Sequence, residues 1–264
     1  MAEILSPRPA ATVITVRDAA NGYEILMLRR NLNSDFVGGA YVFPGGGVDD
    51  ADGGPAADRL AFGLSDAEAS RRLDLERGGL AYYVACLREL FEEAGLLIVC
   101  DANGEPVQLN DPATTARLAA SRRDVNAGTL HFTEMMEREG LLLDFRGLEY
   151  VAHWVTPVGP PRRYDTRFFV ALTPSDQVAT HDAGETVADQ WIRPLDALEA
   201  HARGELEMIF PTIRNLEAIA HLESALDVLN YAKSLSDIVR VEPRIVTRDG
   251  DVRILLPGDD GYSD

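Results

Sequence analysis

The 264-residue chain has room for one large or two small domains, and its 46% hydrophobic content suits a globular core. A formal charge of −18 excludes a general nucleic-acid binder, because phosphate backbones demand clustered Lys and Arg. Cys86 and Cys100 make no disulfide framework, and no apolar run approaches the about 18 residues of a membrane span.

Residues 11–16 and 23–28 are apolar, β-branched runs around an Asp-, Asn- and Gly-rich turn, which predicts a hairpin. Residues 41–43 lead into a glycine-rich turn, Gly45-Gly46-Gly47, which can bring bare backbone close to a metal or phosphate. Residues 53–79 begin Gly-Gly-Pro, end Arg-Gly-Gly and hold a short helix from Ser65 to about Glu76. A helix is expected over 80–94, stopped by Gly95, with further helices over 112–126 and 133–140. Residues 148–156, 167–172 and 187–192 read as strands. The tail offers one or two amphipathic helices over 211–234, then two strands, 244–247 and 252–255, around Asp249-Gly250. A single domain over 1–264 is expected, with a core over about 10–205 and an extension over about 206–264. The first residues lack the basic start and apolar run of a secretory signal, so a cytoplasmic location is the default.

The helix over 80–94 carries the chemistry. Tyr83, Val84, Leu87, Leu90, Phe91 and Ala94 form an apolar stripe, while Glu89, Glu92 and Glu93 point away from it. Glu89 with Glu93 and Glu89 with Glu92 are like-charged pairs, each costing roughly 0.2–0.5 kcal/mol. All three lie near the negative end of the helix dipole. A solvated acidic face is one reading; a divalent cation that reverses the repulsion is the other.

Gly46, five residues, then Asp52, followed later by Arg88-Glu89-Leu90-Phe91-Glu92-Glu93-Ala94-Gly95-Leu96, resemble the Nudix box, G-x5-E-x7-R-E-U-x-E-E-x-G-U, where U is bulky and apolar. Asp52 replaces the pattern's first Glu. Between it and Arg88 lie 35 residues where the pattern has seven, an excess of 28, which places an insertion at 53–79. With its flexible ends, the insertion is expected to loop out beside the site as a partial lid or as the contact of a homodimer. A box interrupted there resembles the branch of the peroxisomal coenzyme A diphosphatase and its bacterial relatives.

The resemblance implies an α+β Nudix fold, a mixed β-sheet sandwiched between α-helices, with the insertion and a C-terminal helical and β extension. It implies hydrolysis of a diphosphate linkage with Mg²⁺ or Mn²⁺, held by Glu92, Glu93, Glu89 and the carbonyl of Gly45 or Gly46. Glu89 or Glu185 would act as general base, and Arg88 would orient the carboxylates. Arg29, Arg163 and Arg167 are candidates to bind the diphosphate, as is Arg162, while Tyr41, Phe43 and Trp154 are candidates to stack on a base. In the signature that precedes the box in the coenzyme A subgroup, Arg29 and Gly39 are in place, but Asp35 stands for an arginine and Arg30 for a serine. Coenzyme A therefore stands as one small-molecule substrate beside nucleoside diphosphate sugars, dinucleotides and nucleotides. A ligand-binding regulator on the same fold is the alternative class.

Overall fold

The computed structural model describes residues 5–32, 38–182, 184–248 and 251–262. Asp35 and the expected turn at Asp249-Gly250 lie outside them.

Strands β1 (Arg8–Ala19) and β2 (Gly22–Arg30) form the expected hairpin, with Ala19 paired to Gly22. Next come β3 (Tyr41–Val42) and β4 (Gly45–Gly47), then a 3-10 turn at Asp50–Asp52. The insertion contributes α1 (Gly54–Leu60), β5 (Ala61–Phe62) and α2 (Asp66–Arg72). The box helix is α3 (Gly79–Ala94), ended by Gly95 in the left-handed conformation at φ 71°. It is followed by β6 (Val99–Cys100), α4 (Pro112–Asn126), α5 (Phe132–Glu139) and β7 (Leu142–Asp144). Strands β8 (Glu149–Val155), β9 (Tyr164–Leu172) and β10 (Thr186–Ile192) precede α6 (Pro194–Ala202), α7 (Phe210–Ile219) and α8 (Ala225–Ser234). The chain closes with β11 (Arg240–Val241) and the hairpin β12 (Arg244–Arg248) and β13 (Asp251–Leu255).

The main sheet has eight strands in the order β10-β2-β1-β9-β8-β11, with β3 beside β2 and β4 beside β1. It is mixed: β1 with β9 and β8 with β11 run parallel, and the other pairs antiparallel. Strand alternation gives each face its own core. Val13, Leu26, Leu28 and Phe169 pack under α3, whereas Ile14, Ile25, Met27 and Phe168 pack under α7 and α8. The sheet is thus sandwiched between helices, as expected of a Nudix fold.

Two local expectations are corrected. The triple glycine is extended strand paired to β1 rather than a turn, and a Cβ on Gly45 would lie 2.6 Å from the Ala11 carbonyl oxygen. The insertion does not loop out. Leu60, Ala69 and Leu73 are buried in the core around α3, and a Cβ on Gly79 would meet the Ser70 backbone nitrogen at 2.3 Å. Asp66 of α2 accepts from the Gly78 and Leu80 backbone N–H groups at 3.1 and 3.0 Å, capping the start of the box helix with a negative charge. Of the glycines that read as flexible ends, Gly79 is a close-packing position, while Gly54 and Gly78 hold the left-handed backbone at φ 77° and 78°.

Candidate active site

The acidic face of α3 meets β4. A Cβ on Gly46 would fall 2.4 Å from Glu89 Oε1, so only glycine lets this carboxylate lie against the strand. The Gly45 N–H donates to Glu93 Oε2 at 3.0 Å. The triple glycine therefore serves close approach of backbone to two of the three box acids.

Arg88 binds these pieces together from a largely buried position. Its Nε and Nη2 donate to the two Asp52 oxygens at 2.8 and 2.9 Å, and Nη2 also donates to the Gly47 carbonyl at 2.7 Å. Its Nη1 donates to Glu89 at 2.9 Å and to Glu92 at 3.3 Å. Asp52 is thus long enough despite lacking a methylene, because its partner is Arg88. Burial pushes its carboxyl up while the guanidinium opposes that; with two guanidinium bonds and one from the Asp49 N–H, we read it as ionised.

The acids themselves are held against their preferred charge. Burial, followed by the Glu92 charge, pushes Glu89 up to about 8 although Arg88 counteracts it. Glu93 is raised well above the carboxylate range by burial and then by Glu89, and Glu92 is raised by burial against the pull of Arg88. Among the described residues no three acids already form a metal shell. The donor chemistry nevertheless fits a hard divalent cation: largely buried carboxylate oxygens that repel one another, set against the glycine strand β4.

A cavity of about 520 Å³ opens over this floor, reached by Glu89, Gly45, Gly46 and Gly47, with Arg30 and Glu185 beside them. Glu185 Oε1 accepts from Arg30 Nη2 at 2.5 Å, and its loop is tied to β2 by the Asn31 N–H donating to the Glu185 carbonyl at 2.8 Å. A loop acid 92 residues beyond Glu93 in sequence thus shares one cavity with the box.

The three arginines expected at the diphosphate are not brought there. Arg29 donates to the Gly39 carbonyl and lies 6.0 Å over the Tyr41 ring. Arg163 is buried, spent on the carbonyls of Leu5, Thr156 and Pro157 and on Glu242. Arg167 is buried under Tyr82 and paired with Asp165. Their neighbours Arg30 and Arg162 line the cavity instead, Arg30 because successive residues of a strand face opposite ways and Arg162 from the bend that precedes β9. Phe43 and Trp154 line it too, whereas Tyr41 does not. Sequence reasoning missed Phe210, Ile245 and Ile254; the two isoleucines stand equidistant from Asp249-Gly250, which was the available signal.

Residues 54–219 match the sequence profile of the NUDT19 Nudix domain. The chain belongs to that family. It is 30% identical to the acyl-coenzyme A diphosphatase NUDT19 of Gallus gallus, over 91% of this chain and 73% of that protein. The Homo sapiens protein of the same name is 29% identical over 92% of this chain and 73% of its own length. A Nudix hydrolase crystal structure from Alicyclobacillus acidocaldarius superposes with a TM-score of 0.68 at 28% identity, covering 86% of this chain and 97% of that one. The chain is accordingly an enzyme of the Nudix diphosphatase kind. Among the described residues, no helix is long and apolar enough to cross a membrane.

Proposed function

We propose that this member of the NUDT19 Nudix family hydrolyses the diphosphate linkage of coenzyme A and its thioesters, with Mg²⁺ or Mn²⁺ held by Glu89, Glu92, Glu93 and the Gly46 carbonyl. The observation that carries the reading is Glu89 and Glu185 facing one cavity over the bare backbone of β4. The names of the relatives in chicken and human point to the same substrate class.

The cation, when bound, supplies charge withdrawal from the bridging phosphates and lowers the pKa of attacking water. Arg88 positions Glu89 and Glu92 from behind and does not reach substrate. Arg30 and Arg162 bind phosphate oxygens from the cavity side. Glu185 is assigned as the general base, since it is half exposed at the cavity whereas Glu89 is largely buried against Gly46 and Arg88. Arg30 would turn from Glu185 to the phosphate as substrate enters. We assign the enzyme to a reducing compartment, the cytoplasm, which suits two buried free thiols, Cys86 and Cys100.

The test is turnover of coenzyme A, nucleoside diphosphate sugars and dinucleotides with Mg²⁺ or Mn²⁺, with products identified by mass. Coenzyme A cleaved to adenosine 3′,5′-bisphosphate and phosphopantetheine is the expected result. Preference for a sugar nucleotide would reject the substrate.

A further inference from the structure

Away from Glu89 the same cavity changes character. Its far flank is built by Trp154, Pro157, Phe210, Pro243, Ile245 and Ile254. Ile245 and Ile254 are directly paired across β12 and β13, so they project from the same face of the hairpin. They are 49% and 48% exposed, and both look onto the cavity. An apolar pair left half open beside a substrate site is ready to bury apolar surface.

The hairpin forms its own two-stranded sheet and is attached at its base. Tyr262 Oη donates to the Glu242 carbonyl at 2.6 Å, the Glu242 side chain pairs with the buried Arg163, and Arg244 lies 4.9 Å over the Tyr262 ring. Arg163 thus anchors the hairpin. These residues lie beyond the span of the family match, which ends at residue 219.

We infer that this flank is a subsite for the acyl chain of a thioester substrate, and that Ile245 and Ile254 close it and set the preference for long over short chains. This rests on the coenzyme A reading above. A nucleobase suits the flank poorly. Trp154 and Phe210 stand edge to face, at 88° and 5.7 Å, so they form no parallel slot between which a base could be sandwiched. Of the six residues that build the flank, Trp154 alone has a hydrogen-bonding side-chain group to read a base edge. Aliphatic chain needs no such partner, and each methylene it buries is worth roughly fourfold in affinity.

The experiment compares kcat/KM for acetyl- and decanoyl-coenzyme A with Mg²⁺, in the full chain and in the double variant Ile245→Ser/Ile254→Ser. The ratio of decanoyl to acetyl is expected to be at least tenfold in the wild type and to fall at least fivefold in the variant. An unchanged ratio overturns the subsite. Calorimetric titration of the metal-free protein with both thioesters and with adenosine 3′,5′-bisphosphate reads the subsite without turnover. Selective loss of decanoyl binding in the variant upholds it even if the wild type hydrolyses no thioester, which would fault only the proposed reaction. Selective loss of the bisphosphate instead places the base there and overturns the inference.

Discussion

Replacing Asp52 by Ala tests whether the first box acid acts through Arg88. Its oxygens take the guanidinium at 2.8 and 2.9 Å, and the residue is 2% exposed. Stranding one partner of a buried ion pair costs about 3–5 kcal/mol. Arg88 keeps Glu89 and the Gly47 carbonyl within 2.9 Å, which puts the loss at the lower end, about 3 kcal/mol. With a slope of about 3 kcal/mol per M, the urea midpoint falls by about 1 M and the slope stays constant. Asp52→Asn keeps one acceptor and the shape, and should cost about 1.5 kcal/mol. Adding Arg88→Met to Asp52→Ala removes the stranded charge but leaves Glu89, Glu92 and the Gly47 carbonyl unpaired, so the double variant loses less than the sum of the single losses, and turnover stays low because Glu89 and Glu92 have lost the group that holds them. Urea unfolding and kcat on the same preparations give both readouts. A wild-type midpoint for Asp52→Ala, or strictly additive single effects, would refute the pair as the link between the two halves of the box.

Glu93→Gln should cut turnover at least a hundredfold, about 3 kcal/mol of transition-state stabilisation, and full activity in chelator would end the metal proposal. Glu185→Gln should lower kcat strongly with little change in KM or metal affinity; wild-type rates across the pH range would leave Glu89 as the base. In the metal-free chain Glu89 sits at about 8 against an ordinary 4.5, so the folded state holds this proton more tightly than the unfolded one. Its stabilising share is complete below about 4.5 and is lost as pH rises through about 8, so Tm in chelator should fall between pH 5.5 and 8.5 more for the wild type than for Glu89→Gln. Leu73→Ala, in the inserted segment at 2% exposure, should cost about 2–5 kcal/mol by urea unfolding, whereas a segment that merely looped out would tolerate it.

Much of the fold and the acidic floor was readable before the structure because each rests on local rules. The apolar stripe and Gly95 fixed α3 to within one residue at its start, and two apolar, β-branched runs around a turn marked the β1–β2 hairpin. Strands β6 and β7, two and three residues long, were not legible. They exist through pairing with each other and with β5 of the insertion, and so few residues cannot carry a period. The insertion itself misled because glycine has two uses. At Gly78, φ 78° relieves backbone strain, but at Gly79 the missing Cβ admits another helix, and only the second neighbour in space tells the two apart.

The arginines show the same limit from the side of chemistry. Guanidinium pairs with carboxylate as readily as with phosphate, so residue type alone cannot rank Arg29 above Arg30 or Arg163 above Arg162. Along β2 parity can, once one reference is known. Leu26 and Leu28 pack under α3, so Arg30, two residues further along β2, comes out on the side of Glu89, and Arg29 belongs with Met27 on the opposite face. The reference is the sheet face that α3 covers, a contact between residues some sixty apart in sequence, and it is this contact that turns a row of arginines into one that faces the acids and one that does not.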